Sequence, residues 1–215
     1  MTNKLVSAAE KIINAKKRKE SVIVFTGAGV SISSGVPSFT TSKVLKRAMG
    51  PKTWFLRNMI RRPLDYLRDA QLFQKRMLSA HPNMGHYAIA WLIKREYART
   101  IITGNTDGLH EKTIGIKQLA TYTESGGKFM DLFAPESQKK NLGIARELVS
   151  KAGVMIVSGW SYDEHKLIKL AKKRNTKIIE ISPKRKFAGR KDIFLPGFSQ
   201  VVFPELQREI YMLDR

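Results

Sequence analysis

Apolar positions in the first twenty residues recur at helical spacing. Leu5, Ala8, Ala9 and Ile12 stand at i, i+3, i+4 and i+7, one face of an amphipathic helix. Ser21-Val22-Ile23-Val24-Phe25-Thr26 has no polar alternation, which predicts a strand buried on both faces. Gly27-Ala28-Gly29 stops it, and Val30 to Gly35 continues the loop into a short helix. From Lys43 to Leu78 the pattern is irregular but largely helical, with Pro63 breaking it in the middle, and it predicts a helical insertion over 43–78 packed beside the main sheet. A helix over Met84–Tyr97 and a strand over Thr100–Thr103 follow, then a strand near Leu119–Thr123 and a helix over Asn141–Lys151. Val154–Val157 reads as a buried strand, Glu164–Arg174 as an amphipathic helix and Lys177–Ser182 as a strand. Pro183–Gly197 reads as a basic loop, Val201–Phe203 as the last strand, and Pro204 as the opening of a terminal helix. Strands that alternate with helices predict an α/β, doubly wound parallel sheet with helices on both faces, as one domain over 1–215.

Charge changes this picture more than composition does. The 215 residues hold 39 Lys and Arg against 18 Asp and Glu, a formal charge of +21, which favours nucleic acid or another polyanion as a partner. A generally basic proteome would produce the same excess. No apolar run is long enough to span a membrane, and the lysine-rich start lacks the apolar stretch of a signal peptide, so an intracellular place is expected, cytoplasmic or with nuclear or nucleoid DNA. With no cysteine, thiolate metal sites and cysteine nucleophiles are excluded, and His81, His86, His110 and His165 show no metal-ligand spacing, so no metal is expected.

A buried strand followed by Gly27-Ala28-Gly29 and a helix start has a physical use. Glycines let the backbone approach a pyrophosphate and adopt positive φ, and a helix start offers free N–H groups. Tight strand-to-helix turns use glycine anyway, so those residues alone leave a structural turn open.

The longer string narrows the choice. Thr26-Gly27-Ala28-Gly29-Val30-Ser31-Ile32-Ser33-Ser34-Gly35-Val36-Pro37-Ser38-Phe39 resembles the first signature of the sirtuins, the NAD-dependent protein deacylases, which reads Gly-Ala-Gly-x-Ser-x-x-Ser-Gly-Ile-Pro-Asp-Phe-Arg. His81-Pro82-Asn83 with His86 resembles the family's Pro-Asn-x-x-His helix start. Thr103-Gly104-Asn105-Thr106-Asp107-Gly108-Leu109-His110 resembles Thr-Gln-Asn-Ile-Asp-Gly-Leu-His. Gly159-Trp160-Ser161 sits where the family has Gly-Thr-Ser, and Ile179-Glu180-Ile181-Ser182 resembles its strand ending in Ile-Asn. The resemblance implies a Rossmann-like fold with NAD as cofactor. It places Gly27, Ala28, Gly29 and Ser31 along the pyrophosphate and ribose, and Pro37 and Phe39 over the nicotinamide side. Asn105 and Asp107 become the catalytic pair, with Gly159, Ser161 and Ser182 toward the adenosine half. Cleaving the nicotinamide–ribose bond builds positive charge. A carboxylate at Asp107 can offset it or bind the carboxamide, and an amide at Asn105 can position water or an acyl oxygen. Without the resemblance, Asp107-Gly108 is a plain turn and Asn105 a strand-end cap.

Four departures fall on the catalytic side. The family's general-base His corresponds to Gly126 in Glu124-Ser125-Gly126-Gly127, and glycine cannot take a proton. The four zinc-binding Cys are missing, so the zinc module reads as deleted, which counts against an acylated-peptide partner. Thr40 replaces an Arg and Gly104 a Gln. Three functions stay open: cleavage of NAD by hydrolysis, ADP-ribosyl transfer or residual deacylation; a silent protein that binds NAD or ADP-ribose; and a basic structural protein that meets nucleic acid. For the last, Lys16-Lys17-Arg18-Lys19, Lys184-Arg185-Lys186, and Arg61-Arg62 beside Trp54, Phe55 and Tyr66 are the basic stretches.

Overall fold

The computed structural model describes residues 2–36, 60–61, 63–105, 107–114, 135–163 and 165–215. In chain order the elements are α1 (Thr2–Lys17), β1 (Ser21–Thr26), two 3₁₀ turns (Ala28–Val30 and Ile32–Ser34), α2 (Pro63–Ser79), α3 (Met84–Lys94), β2 (Thr100–Thr103), α4 (Leu109–Ile114), α5 (Pro135–Ser150), β3 (Ala152–Ser158), α6 (Leu167–Lys173), β4 (Lys177–Ser182), β5 (Ile193–Pro196) and α7 (Ser199–Leu213). The described strands form one sheet in the order β2-β1-β3-β4-β5, with every neighbouring pair parallel.

Side-chain parity shows why the central strands are apolar throughout. Val22 and Val24 of β1 face one core with Ile101, Val154, Ile156, Ile179 and Ile181, closed by α1, α3 and α7. Ile23 and Phe25 face the other with Ile102, Met155, Val157 and Ile178, closed by α5 and α6. Both pleat faces are therefore covered, and the sheet is doubly wound. The chain leaves β1 for β2 on one side and reaches β3 on the other. The connection direction reverses at β1, and the crevice between the carboxyl ends of β1 and β3 is where such sheets bind ligands.

The carboxyl-terminal part differs from the sequence expectation. Val201-Val202-Phe203 is helical, within α7. Val202, Phe203, Leu206 and Ile210 are buried while Val201 is exposed, a helical stripe that a three-residue apolar run could not separate from a strand. Pro204 lies beyond the first turn of α7 rather than opening it. The last strand is Ile193–Pro196, inside the stretch read as a basic loop. Among the described residues it pairs only with β4, and an edge strand tolerates Pro196 because no described partner needs its N–H. Within the expected insertion, residues 60–61 are helical and α2 begins at Pro63, so the helical stretch divides near Pro63 as expected, and the described side chains of α2 are exposed. Residues 43–59, the expected strand near 119–123 and Glu124–Gly127 lie outside the described residues.

Candidate functional site

Three loops leave the carboxyl edge of the sheet side by side, and each begins with glycine. Gly104 N donates to Thr26 O at 3.0 Å and Gly27 N to Ser158 O at 3.0 Å, so Gly104, Gly27 and Gly159 form a row. Gly27 is extended, with φ −123°, so positive φ is not what requires glycine there. Close approach is. A Cβ on Gly27 would stand 2.9 Å from Gly159 O, and one on Gly29 would stand 2.6 Å from Gly159 Cα. Gly159 itself has φ +76°. Gly27, Gly29, Val30 and Ser31 all spend their amides inside the protein, on Ser158 O, Gly159 O, Gly27 O and Ala28 O. The Ala28 amide has no acceptor among the described residues.

Asn83 fastens this turn to α3. Its Nδ2 donates to Val30 O at 2.8 Å and Ser34 Oγ at 2.9 Å. Its Oδ1 accepts from Gly85 N at 2.9 Å, which caps the helix. The Asn83 backbone N–H donates to His86 Nδ1 at 3.2 Å. An imidazole nitrogen that accepts carries no proton, so the His86 proton is on Nε2, which faces Ser31 Oγ at 3.4 Å. Asn105 Nδ2 donates to the same Ser31 oxygen at 3.1 Å. Ser31 Oγ thus accepts twice, which leaves its own O–H as a donor, while Asn105 Oδ1 is buried without a partner among the described residues.

His110 from α4 lies behind this group, its ring centre 4.8 Å from that of His86 and its Nε2 3.0 Å from Thr26 Oγ1. Burial pushes His86 down to about 4, against a smaller upward pull from Asp107. Burial, then the neighbouring His86, pushes His110 down to about 3. Both rings are neutral at pH 7. Asp107 Oδ1 accepts from Leu109 N at 3.0 Å and so starts α4. Glu111 escaped notice in the sequence. Burial raises its carboxyl above the usual range and the Asp107 charge adds to that, against its own backbone hydrogen bond.

Trp160 stood in a matched motif but was given no role there. Its ring stacks on Phe25 with centroids 4.5 Å apart and lies across the glycine row. Its Cδ2 is 2.9 Å from a Cβ built on Gly27, and its Cη2 is 2.6 Å from one built on Gly104. The bare Gly104 leaves the space that the Trp160 indole fills. The only signal in the sequence was that both residues fell in matched motifs.

Gly27, Ala28, Gly29, Ser31, Asn105, Asp107 and Gly159 are all in the turns at the carboxyl edge of β1, β2 and β3, with Ser31 and Asn105 in direct contact. Ser161 is exposed beside Trp160. The Ser182 hydroxyl is taken up internally, 3.0 Å from Glu180 Oε1 and 2.6 Å from Lys184 O. Pro37 and Phe39 lie outside the described residues. Among the described residues no three His, Asp or Glu gather as a metal site, and no helix is long and apolar enough to cross a membrane.

Residues 27–158 match the Sir2 family model. An NAD-dependent protein deacetylase of Sulfolobus acidocaldarius is 33% identical over 106 residues, 49% of this chain and 42% of that protein. An NAD-dependent protein deacylase 2 of Archaeoglobus fulgidus is 33% identical over 112 residues, 52% of this chain and 43% of that protein. The matched part is thus under half the length of these curated relatives. Among solved structures, a complex of a Sir2 homolog with NAD superposes with a TM-score of 0.72 at 23% identity, covering 93% of each chain. A Sir2 protein bound to a myristoylated histone peptide superposes with a TM-score of 0.69 at 21% identity, covering 100% of this chain and 99% of that one. Gly27, Gly104 and the Ser31–Asn105 contact lie within the matched residues 27–158, and the chain belongs to the Sir2 family.

Proposed function

We propose that the chain binds NAD at the carboxyl edge of the sheet and cleaves its nicotinamide–ribose bond. The Ser31–Asn105 pair carries this reading: it is buried, held by a neutral His86, and leaves one O–H donor and one amide acceptor over. A donor beside an acceptor complements a primary carboxamide, which accepts through its oxygen and donates through its nitrogen. The unfilled Ala28 amide suits a phosphate oxygen. Bound there, NAD would supply the glycosidic bond that is cut. The half-buried Asp107 carboxylate places negative charge where positive charge grows during cleavage, in surroundings that strengthen the interaction. With Gly126 at the base position, water is the acceptor that asks least of the protein, so hydrolysis is preferred over transfer to an acylated peptide.

The test is incubation with NAD, following free nicotinamide by chromatography and NAD binding by calorimetry, with Asn105→Ala as control. Release that depends on Asn105 is expected. Heat of binding without release would make the chain a silent NAD-binding protein, and neither heat nor release would end the NAD reading.

A further inference from the structure

Three described carboxylates lie between residues 163 and 192, and each is spent on backbone amides. Asp163 accepts from Ile168 N at 3.1 Å and Lys169 N at 2.8 Å. The buried Glu180 accepts from the amides of Lys186, Phe187 and Ala188 at 2.8, 2.9 and 2.7 Å. Asp192 accepts from Ile178 N at 3.1 Å and Gly189 N at 2.8 Å. Ten exposed Lys and Arg stand between 166 and 191, and none of them forms an ion pair among the described residues. These three described acids build the loops that display the surface instead of pairing with its cations.

These cations form one continuous surface. Lys169 and Lys173 project from α6 away from Leu167, Ile168 and Ala171, which are buried. Lys172 Nζ bonds the Phe187 carbonyl and joins α6 to the loop between β4 and β5. In that loop Arg185 lies over the Phe194 ring and Arg190 is exposed. Lys186 Nζ reaches Trp160 O at 3.4 Å, so the surface runs to the mouth of the crevice. Among the described residues from 160 to 192, Tyr162 is the one large apolar or aromatic side chain that is exposed, at the crevice end of the surface. Protein interfaces draw their affinity from clusters of buried aromatic and aliphatic anchors, which the cationic stretch from 163 to 192 does not offer, whereas a phosphate backbone needs only charge.

We infer that the surface made by α6 and the β4–β5 loop binds nucleic acid through its phosphates, without reading bases. The inference is independent of the NAD reading. The test is binding to labelled mixed-sequence duplex DNA and single-stranded RNA over a range of salt, with polyglutamate as competitor. The triple variant Lys169→Glu, Lys173→Glu, Arg190→Glu is compared with Lys4→Glu, Lys94→Glu, Arg208→Glu. The second set has the same charge change on α1, α3 and α7, across the sheet. The first variant should lose affinity about tenfold or more and flatten the salt slope by about 0.9 for each phosphate that is no longer neutralised. The second should keep the wild-type slope. Lys169→Gln, Lys173→Gln, Arg190→Gln should fall between, which guards against misfolding of the charge-reversed protein. Equal losses in the two Glu variants would reduce the effect to net charge, and polyglutamate competing as well as the duplex would point to an acidic protein. Either result, or absence of binding by the wild type, overturns the inference.

Discussion

Trp160 and Gly104 share one volume: a Cβ at 104 would lie 2.6 Å from Trp160 Cη2. Gly104→Gln must therefore push the indole off Phe25, and overpacking of this kind costs about 1–3 kcal/mol. Trp160→Thr alone leaves the space empty. The double variant Gly104→Gln with Trp160→Thr should recover stability beyond the sum of the two single changes. Urea unfolding of all four proteins measures the coupling, and strict additivity would show that the ring does not fill the space over Gly104.

The two histidines predict an acid-sensitive fold. In the folded chain His86 titrates at about 4 and His110 at about 3, against 6.5 for an exposed imidazole. Below pH 6.5 the unfolded chain takes up protons that the folded chain refuses. The stability tied to these rings is thus fully present above pH 6.5 and is lost as pH falls toward 4 and then 3. A tenfold difference in proton affinity is worth about 1.4 kcal/mol, so the pair can remove several kcal/mol, on the order of a small domain's stability. Urea midpoints measured from pH 7.5 down to pH 4 should fall, and His110→Gln should flatten the fall. An unchanged pH dependence in that variant would place its source elsewhere.

The doubly wound sheet was legible in the sequence because strands buried on both faces carry no polar residue inside, as in Val22–Phe25 and Val154–Val157. The contacts that shape the site were not, because they join residues far apart in the chain. Gly104 reads as a lost polar side chain until Trp160 is seen against it. Gly27 and Gly29 read as residues for positive φ and for close approach to a pyrophosphate, and the close approach the fold shows is that of Gly159. Ser182 reads as facing a ligand, and only the fold shows its hydroxyl beside Glu180 and the Lys184 carbonyl. Ser31 and Asn105 stand out in the sequence as two separate residues, and only the fold brings them into contact.

Glu180 holds the β4–β5 loop through three amides, which makes it a point of failure for that loop. Glu180→Ala would leave the Ala188 amide buried without an acceptor, at roughly 1–3 kcal/mol, with smaller losses at 186 and 187 where water can substitute. Glu180→Gln should be nearly as damaging, because its NH₂ would meet a backbone N–H. Hydrogen exchange at 186–188 should speed up in both variants. Exchange as slow as in the wild type would show that the loop is held by other contacts.

Ser31 accepts from both His86 and Asn105, so its removal should affect binding and structure together. Ser31→Ala takes away the spare O–H and also leaves Asn105 Nδ2 and His86 Nε2 without their acceptor in a buried place. Stability should fall by roughly 1–3 kcal/mol. Ser31→Thr keeps the oxygen and the proton but adds a methyl group, so it should retain NAD binding if the pocket admits that methyl. Asn105→Ala frees the Ser31 oxygen on one side and leaves its O–H in place, so it should weaken nicotinamide release more than it weakens stability. Thermal melting and NAD calorimetry on the three variants separate these effects. If Ser31→Ala binds NAD as well as the wild type while melting lower, the hydroxyl is a packing device for Asn105 and not a ligand donor.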